Sequence, residues 1–496
     1  MKNMEQETMY TGSLAYRLRD AVQYRQRSGN PVLTLHFPLK YMVLHPCWGP
    51  VFGSSMKNDF ITFEDILTRL NNADPVKTEI FLNELVRKGF LEQRGLPILP
   101  EYSPVSIIVP VRNRPEGIAE CLQSLQHLDY PADRVEVLVV DDASNDRTPE
   151  VISQFPVRLI ALREQRQASY CRNLAAQQAE GDILAFLDSD CVAGRLWLRE
   201  LIPAFNDPST GAVGGLVDSY YDKKGLDRYE QVKSSLNMGN WPRSSREDHR
   251  FFYLPACNLL VRKDLFSEIG GFREDMVVGE DVDFCWRLQD QGHQVEYRPA
   301  GRIFHKHRNK LGHFCTRRFD YGTSEPLLQR SHIRRIKQFV ISPQSFIFWT
   351  MAVLATVSEW IPLWGLCGAT LLADSLLKYL KIKQKGVPIN LPHLLLAVFR
   401  GYVAFFYHCC AFVSRYYLFW AFLIFLWLPG ISAVILSMHL LTGIGEYFIK
   451  KPRLRFPSFL FYFTLDQISY QLGVWWGCIK RLFFNPVNPR IVRKPS

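Results

Sequence analysis

The chain has 496 residues, of which 47% are hydrophobic, and its formal net charge is +11. That length is too great for one ordinary core, so we expect two or three domains. The basic residues flank apolar segments, which favours an anionic membrane surface as a partner. The sequence has neither zinc-finger spacing nor a base-reading basic helix, which argues against nucleic acid.

The 11 cysteines are scattered without the pairing typical of metal sites. This arrangement is typical of a reduced, cytosol-facing protein. Residues 1–10 are polar and lack the apolar run of a secretion signal, so we expect no cleaved signal peptide.

Residues 1–100 are predicted to form a small α+β module. Alternating polarity predicts short strands at residues 16–19, 32–35 and 90–93. Helical periodicity predicts two helices, at residues 63–70 and 77–88. This order suggests a winged-helix-like unit, but acidic residues in its helices would repel phosphates and argue against DNA binding. The arrangement resembles the PqqD-like peptide-recognition modules. A packing domain without a ligand is the alternative.

From Val105 onward the sequence alternates between apolar strands and helical segments. The strands are predicted at Val105–Val109, Val135–Val140 and Ile183–Leu187. Such alternation indicates parallel strands with helical crossovers, and ligands of open parallel sheets bind beyond the carboxyl ends of the strands. Because no Gly-rich dinucleotide loop follows the first strand, a nicotinamide-dependent dehydrogenase is disfavoured.

The sequence contains three acidic clusters, two at the ends of predicted strands and one at the start of a predicted helix. Asp141–Asp142 and Asp188–Asp190 end two strands, and Val278–Leu288 places three carboxylates beside the start of a helix. Carboxylates spaced as Asp-x-Asp offer oxygen ligands to a hard cation. The alternatives are an ordinary Asp-rich turn and an acidic helix start that complements the helix dipole. Because two clusters share one sheet edge, we expect the acids to meet in one crevice.

Four stretches follow the order of the motifs of family 2 glycosyltransferases: Val105–Asn113, Val139–Thr148, Phe186–Asp190 and Gly279–Leu288. The resemblance spans residues 105–310, and within the family the chain is most similar to the mycofactocin-system branch. It implies a Rossmann-like α/β domain of the GT-A fold at residues 101–330. A membrane-associated helical region is expected at residues 331–496.

The resemblance implies a donor site for a nucleotide sugar, expected to be a UDP-sugar. Pro110, Arg112 and Asp142 would line the nucleotide, with Asp142 near the uracil. Asp188 and Asp190 would border the diphosphate. Asp190 would bind the divalent cation, Mg²⁺ or Mn²⁺, that neutralises the departing diphosphate.

The resemblance also implies Asp281 as the general base, because an acceptor hydroxyl is a poor nucleophile without a positioned carboxylate. Glu280 would orient or tune it, and Asp283 is the rival base. His305 could reach the metal or the diphosphate, with His307 two residues on. A strand with surface histidines is the alternative.

The last third of the chain is strongly apolar. Gln338–Ala373 and Tyr416–Gly445 are each longer than one membrane span requires. Both are interrupted near the middle, the first at Glu359–Pro362 and the second at Pro429–Gly430. Because basic clusters flank both stretches, we predict hairpins or re-entrant helices, with Leu391–Ser414 and Phe456–Phe484 amphipathic at the interface. Three plain crossings and a soluble helical bundle are the alternatives.

The expected activity is inverting, metal-dependent sugar transfer at the cell membrane, with the catalytic domain facing the cytoplasm. The acceptor is expected to be peptide-derived, of the premycofactocin type, and the sugar to be glucose. A lipid-linked or cell-envelope saccharide is the second acceptor. The Gln-x-x-Arg-Trp signature of processive members is replaced at Cys315–Phe319, which disfavours long polymers. A non-catalytic saccharide-binding or nucleotide-binding membrane adaptor and a nucleotidyltransferase are the hypotheses from other classes.

Overall fold

The computed structural model describes residues 13–27, 29–36, 38–52, 54–96, 101–246, 251–384 and 389–493. The expected domain boundary at residue 100 lies in segment 97–100, outside the described residues. The N-terminal elements are β1 (Ala15–Leu18), β2 (Val22–Arg27), β3 (Asn30–His36), β4 (Leu39–Val43), α1 (Ser54–Asn58), β5 (Ile61–Thr62), α2 (Phe63–Arg69), α3 (Pro75–Lys88) and β6 (Leu91–Arg94).

The central elements are β7 (Val105–Val111), α4 (Pro115–Leu125), β8 (Val135–Asp141), α5 (Thr148–Ile152), β9 (Arg158–Ala161), α6 (Gln167–Gln178), β10 (Ile183–Leu187), β11 (Cys191–Ala193), α7 (Trp197–Leu201), β12 (Thr210–Gly214), β13 (Val217–Ser219), α8 (Gly225–Lys233), β14 (Arg243–Ser244), β15 (Asn258–Arg262), α9 (Lys263–Glu268), α10 (Glu280–Asp290), β16 (Gln294–Tyr297) and β17 (Ile303–His305). The C-terminal elements are α11 (Leu311–Ser331), β18 (Gln338–Ile341), α12 (Pro343–Ser358), α13 (Pro362–Gln384), α14 (Leu391–Ile424), α15 (Pro429–Lys450), α16 (Phe456–Arg481) and β19 (Arg490–Arg493).

The N-terminal region contains two antiparallel three-stranded sheets, ordered β5-β1-β6 and β2-β3-β4. Their apolar faces and helices α1 to α3 share one core. Helix α3 begins where the Asp74 carboxylate accepts the N–H groups of Val76 and Lys77, and it ends at Gly89 in the left-handed conformation. The predicted strands and helices are present in the predicted order, whereas β2, β4, α1 and β5 were not predicted.

An eight-stranded sheet, ordered β14-β16-β12-β15-β10-β7-β8-β9, forms the centre of the protein. Strands β7, β8 and β10 are parallel, as the sequence predicts. The unpredicted strand β9 is also parallel to them, and β15 runs antiparallel to both β10 and β12. Apolar cores cover both faces of the sheet. This mixed sheet with helices on both faces is the GT-A fold.

The site is positioned by a change of direction in the sheet topology. After β7 the chain adds β8 and β9 on one side, and then returns to place β10 on the other side of β7. In open α/β sheets such a switch point leaves a crevice at the carboxyl ends of the strands. Arg112, Asp142 and Asp188 follow β7, β8 and β10 directly.

Helices α11 and α16 cross very closely through glycines. A Cβ atom at Gly322 would overlap the carbonyl oxygen of Tyr470, and one at Gly473 would overlap that of Phe319. The absence of these two side chains therefore lets the helix backbones touch. This crossing attaches α16 to α11, and α11 lies across the open side of the crevice.

The C-terminal helices form two hairpins. Glu359, in the left-handed conformation, separates α12 from α13, and a short turn separates α14 from α15, which begins at Pro429. The predicted interruptions are therefore confirmed. The expected separate segment Leu391–Ser414 is wrong, because it continues without a break into residue 424 as the 34-residue helix α14. By length and hydropathy, α14 and α15 are long and apolar enough to cross a membrane.

We expect Gly322→Ala to lower the free energy of unfolding by about 2 kcal/mol, because the added methyl group forces α11 away from α16. Gly312→Ala in the same helix is the matched control, since a Cβ atom there meets nothing within 4 Å. It should be neutral or stabilise by up to about 1 kcal/mol. Thermal unfolding in detergent measures both, and equal effects would contradict the close crossing.

Candidate active site

A cavity of about 570 Å³ lies at the carboxyl ends of β7, β8 and β10, with α11 on its opposite side. It brings together nearly all of the residues that the sequence predicts for the site: Pro110, Arg112, Asp142, Asp188, Asp190, Glu280, Asp281 and His305. Asp283 is not part of its lining. Acids that are far apart in the chain therefore meet in one crevice, as expected.

Asp142 fixes one wall of the cavity. Its carboxylate oxygens accept the backbone N–H groups of Arg166, at 2.6 Å, and Gln167, at 3.0 Å. These donors belong to the start of α6, where a helix leaves its first N–H groups without backbone partners. Asp142 is thus a helix cap as well as a cavity residue, and only 6% of it is exposed.

Arg172 of α6 joins two acidic clusters. Its guanidinium donates to Asp188 at 2.6 Å and to Glu280 at 3.1 Å, and only 3% of the residue is exposed. Burial alone would lower the pKa of Arg172, but the two carboxylates outweigh it and raise that pKa. Sequence reasoning missed this residue. The available signal is a charged side chain among the small, buried residues Cys171, Ala175 and Ala176 on α6.

Asp190 lies between the guanidinium of Arg114 and the imidazole of His305. It forms an ion pair with Arg114, and Nε2 of His305 lies 3.5 Å from its carboxylate. Burial alone would raise the pKa of Asp190, but His305 and Arg114 outweigh it and lower that pKa. Asp190 is therefore ionised at neutral pH. Arg114 is a second residue that the sequence analysis did not identify.

The donor atoms around Asp190 fit a divalent cation. The ligand atoms of Asp190, Cys191 and His305 lie within 4.8 Å of one another, because β11 pairs Cys191 directly with His305 in β17. Burial raises the pKa of the Cys191 thiol, which keeps it protonated and makes it a poor ligand. A carboxylate and an imidazole remain, and diphosphate oxygens can complete the shell of a hard cation.

The two histidines after the acidic clusters have different environments. Nδ1 of His305 lies 3.1 Å from Nδ1 of His307. Burial, together with the charges of His305 and Arg318, lowers the pKa of His307 to about 3, so His307 is neutral. Only 7% of His307 is exposed and His305 lines the cavity, so the alternative of surface histidines is wrong.

Asp281 has the properties of a base that works near neutral pH. Its carboxylate accepts the N–H groups of Ala256, at 3.2 Å, and Val282, at 2.8 Å. Burial and the neighbouring charge of Glu280 nevertheless raise the pKa of Asp281 to about 7. A carboxyl group with such a pKa accepts a proton far more readily than an ordinary aspartate.

Asp283 has a different environment. Its carboxylate accepts from Arg287 and His332, each at 2.8 Å, and only 1% of the residue is exposed. Burial alone would raise the pKa of Asp283, but His332 and Arg287 outweigh it and lower that pKa. Asp283 therefore anchors α10 to the end of α11, and this placement disfavours it as the rival base.

Helix α11 carries two arginines to the cavity. Arg317 lines it, and Arg318 forms ion pairs with Glu230 at 2.8 Å and with Asp466 of α16 at 3.2 Å. Burial and Asp466 raise the pKa of Glu230 to about 7, although Arg318 opposes them. A buried charge network thus connects the cavity with the C-terminal helices.

The parallel strand ends, the paired aspartates and a carboxyl group of raised pKa define a GT-A glycosyltransferase. The glycosyl transferase family 2 model matches residues 106–270. Glycosyltransferase AglE of Haloferax volcanii is 31% identical over 248 residues, which are 47% of this chain and 77% of that protein. The chain belongs to glycosyl transferase family 2, and it is a hexosyltransferase that uses a nucleotide-sugar donor.

A longer alignment joins the chain to the pre-mycofactocin glycosyltransferase of Mycobacterium tuberculosis (strain CDC 1551 / Oshkosh). The two are 25% identical over 436 residues, which cover 85% of this chain and 89% of the relative. Among solved structures, the mannosyltransferase PcManGT from Pyrobaculum calidifontis aligns with a TM-score of 0.40 at 19% identity. That alignment covers 66% of this chain and 94% of that one.

Proposed function

We propose that the protein is an inverting, divalent-metal-dependent transferase that moves glucose from UDP-glucose to an acceptor hydroxyl. The observation that carries this proposal is the cavity shared by Asp281, with its raised pKa, and Asp190, which is ionised. A carboxylate of lowered pKa, such as Asp190, suits cation binding, and one of raised pKa, such as Asp281, suits proton acceptance.

On the donor side, Pro110, Arg112 and Asp142 bind the nucleoside, with Asp142 near the uracil. Asp190 and His305 would hold Mg²⁺ or Mn²⁺, and the cation would neutralise charge on the departing diphosphate. Asp188 borders the diphosphate. Its pairing with Arg172 reduces the repulsion that a free carboxylate would exert on the donor.

On the acceptor side, Asp281 removes the proton from the attacking hydroxyl. The acceptor oxygen forms a bond to the anomeric carbon while the bond from that carbon to the UDP oxygen breaks, and the electron pair leaves with UDP. Because one base acts on the face opposite the leaving group, the α-linked donor gives a β-linked product. Glu280 tunes this base, since its charge helps to raise the pKa of Asp281.

Asp281→Asn should reduce transfer by about 10²–10⁴-fold while UDP-glucose binding survives, because only the proton acceptor is lost. In the unchanged protein, kcat/KM should rise with pH up to about 7 and then level off, as Asp281 ionises. Steady-state kinetics measures transfer. Calorimetry with MnCl₂ or EDTA measures binding, which should require the cation.

Asp283→Asn is the matched control in the same helix. It weakens the buried pairs with Arg287 and His332, so it should lower stability while the pH midpoint of the remaining activity stays near 7. Full activity of Asp281→Asn, or a shifted pH midpoint in Asp283→Asn, would remove Asp281 as the base. Metal-independent donor binding would remove the metal from the proposal.

We infer a peptide-derived acceptor of the premycofactocin type, with residues 1–100 as a PqqD-like recognition module beside the transferase domain at residues 101–330. The long alignment with the M. tuberculosis relative supports this acceptor. The alternative is a lipid-linked or envelope saccharide. The apolar C-terminal region and the 34% identity to a beta-monoglucosyldiacylglycerol synthase of Synechocystis, over 38% of this chain, favour that second candidate.

With purified full-length protein and UDP-glucose, a premycofactocin-type peptide should be glucosylated at least about tenfold more efficiently than a lipid-linked saccharide, a difference of about 1.4 kcal/mol in transition-state binding. Mass spectrometry of the products, with UDP release as a second readout, gives the ratio. The reverse ratio would assign the lipid or envelope acceptor. UDP release without either product would leave hydrolysis as the only activity and contradict both acceptors.

We propose that residues 331–496 insert their two hairpins into the cytoplasmic face of the cell membrane, so that the catalytic domain faces the cytoplasm. The hairpin tips support this because they expose large apolar side chains, with exposed fractions of 57% for Trp360, 79% for Ile361, 83% for Leu426 and 76% for Trp427. Exposed apolar surface of this kind marks interaction with a membrane or a partner. Basic residues near the other ends of the helices favour the cytoplasmic side.

Replacing Leu426 and Trp427 together by Glu should reduce binding to vesicles by at least about tenfold, because charges at the tip oppose insertion. Val43→Glu is the control, since Val43 is a 53% exposed apolar residue of the N-terminal region. Vesicle flotation measures binding. Unchanged flotation of the double variant, or an equal loss in the control, would contradict insertion by this hairpin.

A further inference from the structure

A second cavity lies outside the site of sugar transfer. It is an open groove with a volume of about 1020 Å³, lined by β18, α13 and α14, with Leu39 of β4 at its edge. Cavities of this size are ligand-sized. The proposed transfer reaction uses none of the residues that line it.

The walls of this second cavity are apolar. Helix α14 contributes Leu394, Val398, Phe405 and Phe412, and the facing elements contribute Phe339 and Ile382. Space is left because small residues recur along the same face of α14, at Ala397, Gly401, Ala404 and Ala411. These positions follow the spacing of three, four and seven that places residues on one side of a helix. The volume therefore suits a hydrocarbon chain.

The charges of the lining are all of one sign. Lys337, Lys378, Lys381 and Arg415 border the cavity, and its described lining contains no Asp or Glu. Asp374 pairs with Lys378, and Glu325 pairs with Lys337, from behind the wall. Within the described part of the chain, no carboxylate forms an ion pair with Lys381. Asp466 of α16 and Glu325 also act on Arg415, so three carboxylates oppose four cations, and the excess positive charge beside the apolar cavity lies at Lys381.

We propose that this second cavity binds an anionic membrane lipid, with a hydrocarbon chain against α14 and a phosphate at Lys378 and Lys381. The lysines attract the lipid phosphate because their charges are complementary to it. Burial of apolar surface stabilises the bound hydrocarbon chain. The position agrees with this occupant, because α13 and α14 also expose apolar side chains such as Leu377 and Phe399 on their outer surfaces. A lipid therefore enters laterally from the bilayer.

The bound lipid also touches the framework of the reaction site. Tyr416 and Lys337 line the second cavity and both contact the Glu325 carboxylate of α11. Tyr321, one helical turn before Glu325, lines the cavity of the reaction site. The lipid thus packs against Tyr416 and Lys337, two side chains that contact the helix closing the reaction site. The proposal does not depend on the acceptor, and lipid binding is measured separately from sugar transfer.

The test uses full-length protein in a neutral detergent, titrated with phosphatidylglycerol, with phosphatidylcholine of the same acyl chains, and with glycerol phosphate. Native mass spectrometry counts bound lipid. We expect one phosphatidylglycerol per chain, about tenfold weaker binding of phosphatidylcholine, and no displacement by glycerol phosphate. Equal affinity for the two lipids, or displacement by glycerol phosphate alone, would overturn the proposal.

Two pairs of variants locate the site. Lys378→Gln with Lys381→Gln should weaken phosphatidylglycerol binding about tenfold. Lys383→Gln, a neighbouring cation of α13 outside the lining, should have no effect. Gly401→Phe should abolish binding of both lipids, because a side chain there projects into open space in the cavity.

Gly368→Phe on α13 is the control for Gly401→Phe. A Cβ atom there also meets nothing within 4 Å, but Gly368 does not line the cavity. Circular dichroism of each variant confirms folding before lipid is added. Unchanged binding in the folded double Lys variant, or equal losses in Gly368→Phe and Gly401→Phe, would overturn the proposal.

Discussion

The reaction cavity depends on one buried cation that holds carboxylates of different elements together. Asp188 follows β10 and Glu280 begins α10, and without compensation their charges would repel each other. Arg172 bonds to both from α6. Removing one partner from a buried ion pair typically costs about 3–5 kcal/mol, because the remaining charge is left unpaired. The relative position of Asp188, on the proposed donor side, and Glu280, beside the proposed base Asp281, is therefore set by α6.

Neighbouring charges also determine which carboxyl groups of the cavity are ionised at neutral pH. Asp190 has Arg114 and His305 beside it, which lower its pKa, whereas Asp281 has Glu280 beside it and protonates near neutral pH. Helix α11 closes the cavity. It is also bound to α16, both by the ion pair of Arg318 with Asp466 and by the close crossing at Gly322 and Gly473. The proposed sugar transfer and the proposed membrane attachment would thus share one structural element.

The sequence predicted features that depend on local pattern. Apolar runs ending in acids located β8 and β10, and breaks at Glu359 and Pro429 located the hairpin turns. Arg114 and Arg172 were missed because their importance arises from pairing across long sequence separations, which periodicity does not reveal. The antiparallel β15 and the continuity of α14 were missed for related reasons, since strand direction and helix length depend on tertiary packing as well as on local propensity.

We propose that one carboxylate, Asp281, drives a single displacement at the anomeric carbon. The configuration of the first product formed from UDP-glucose tests it most directly. Proton NMR of that product, recorded before any later rearrangement, should show a β-glucosidic linkage. An α-linked product would require a second displacement or a different attacking face, and would contradict the role assigned to Asp281.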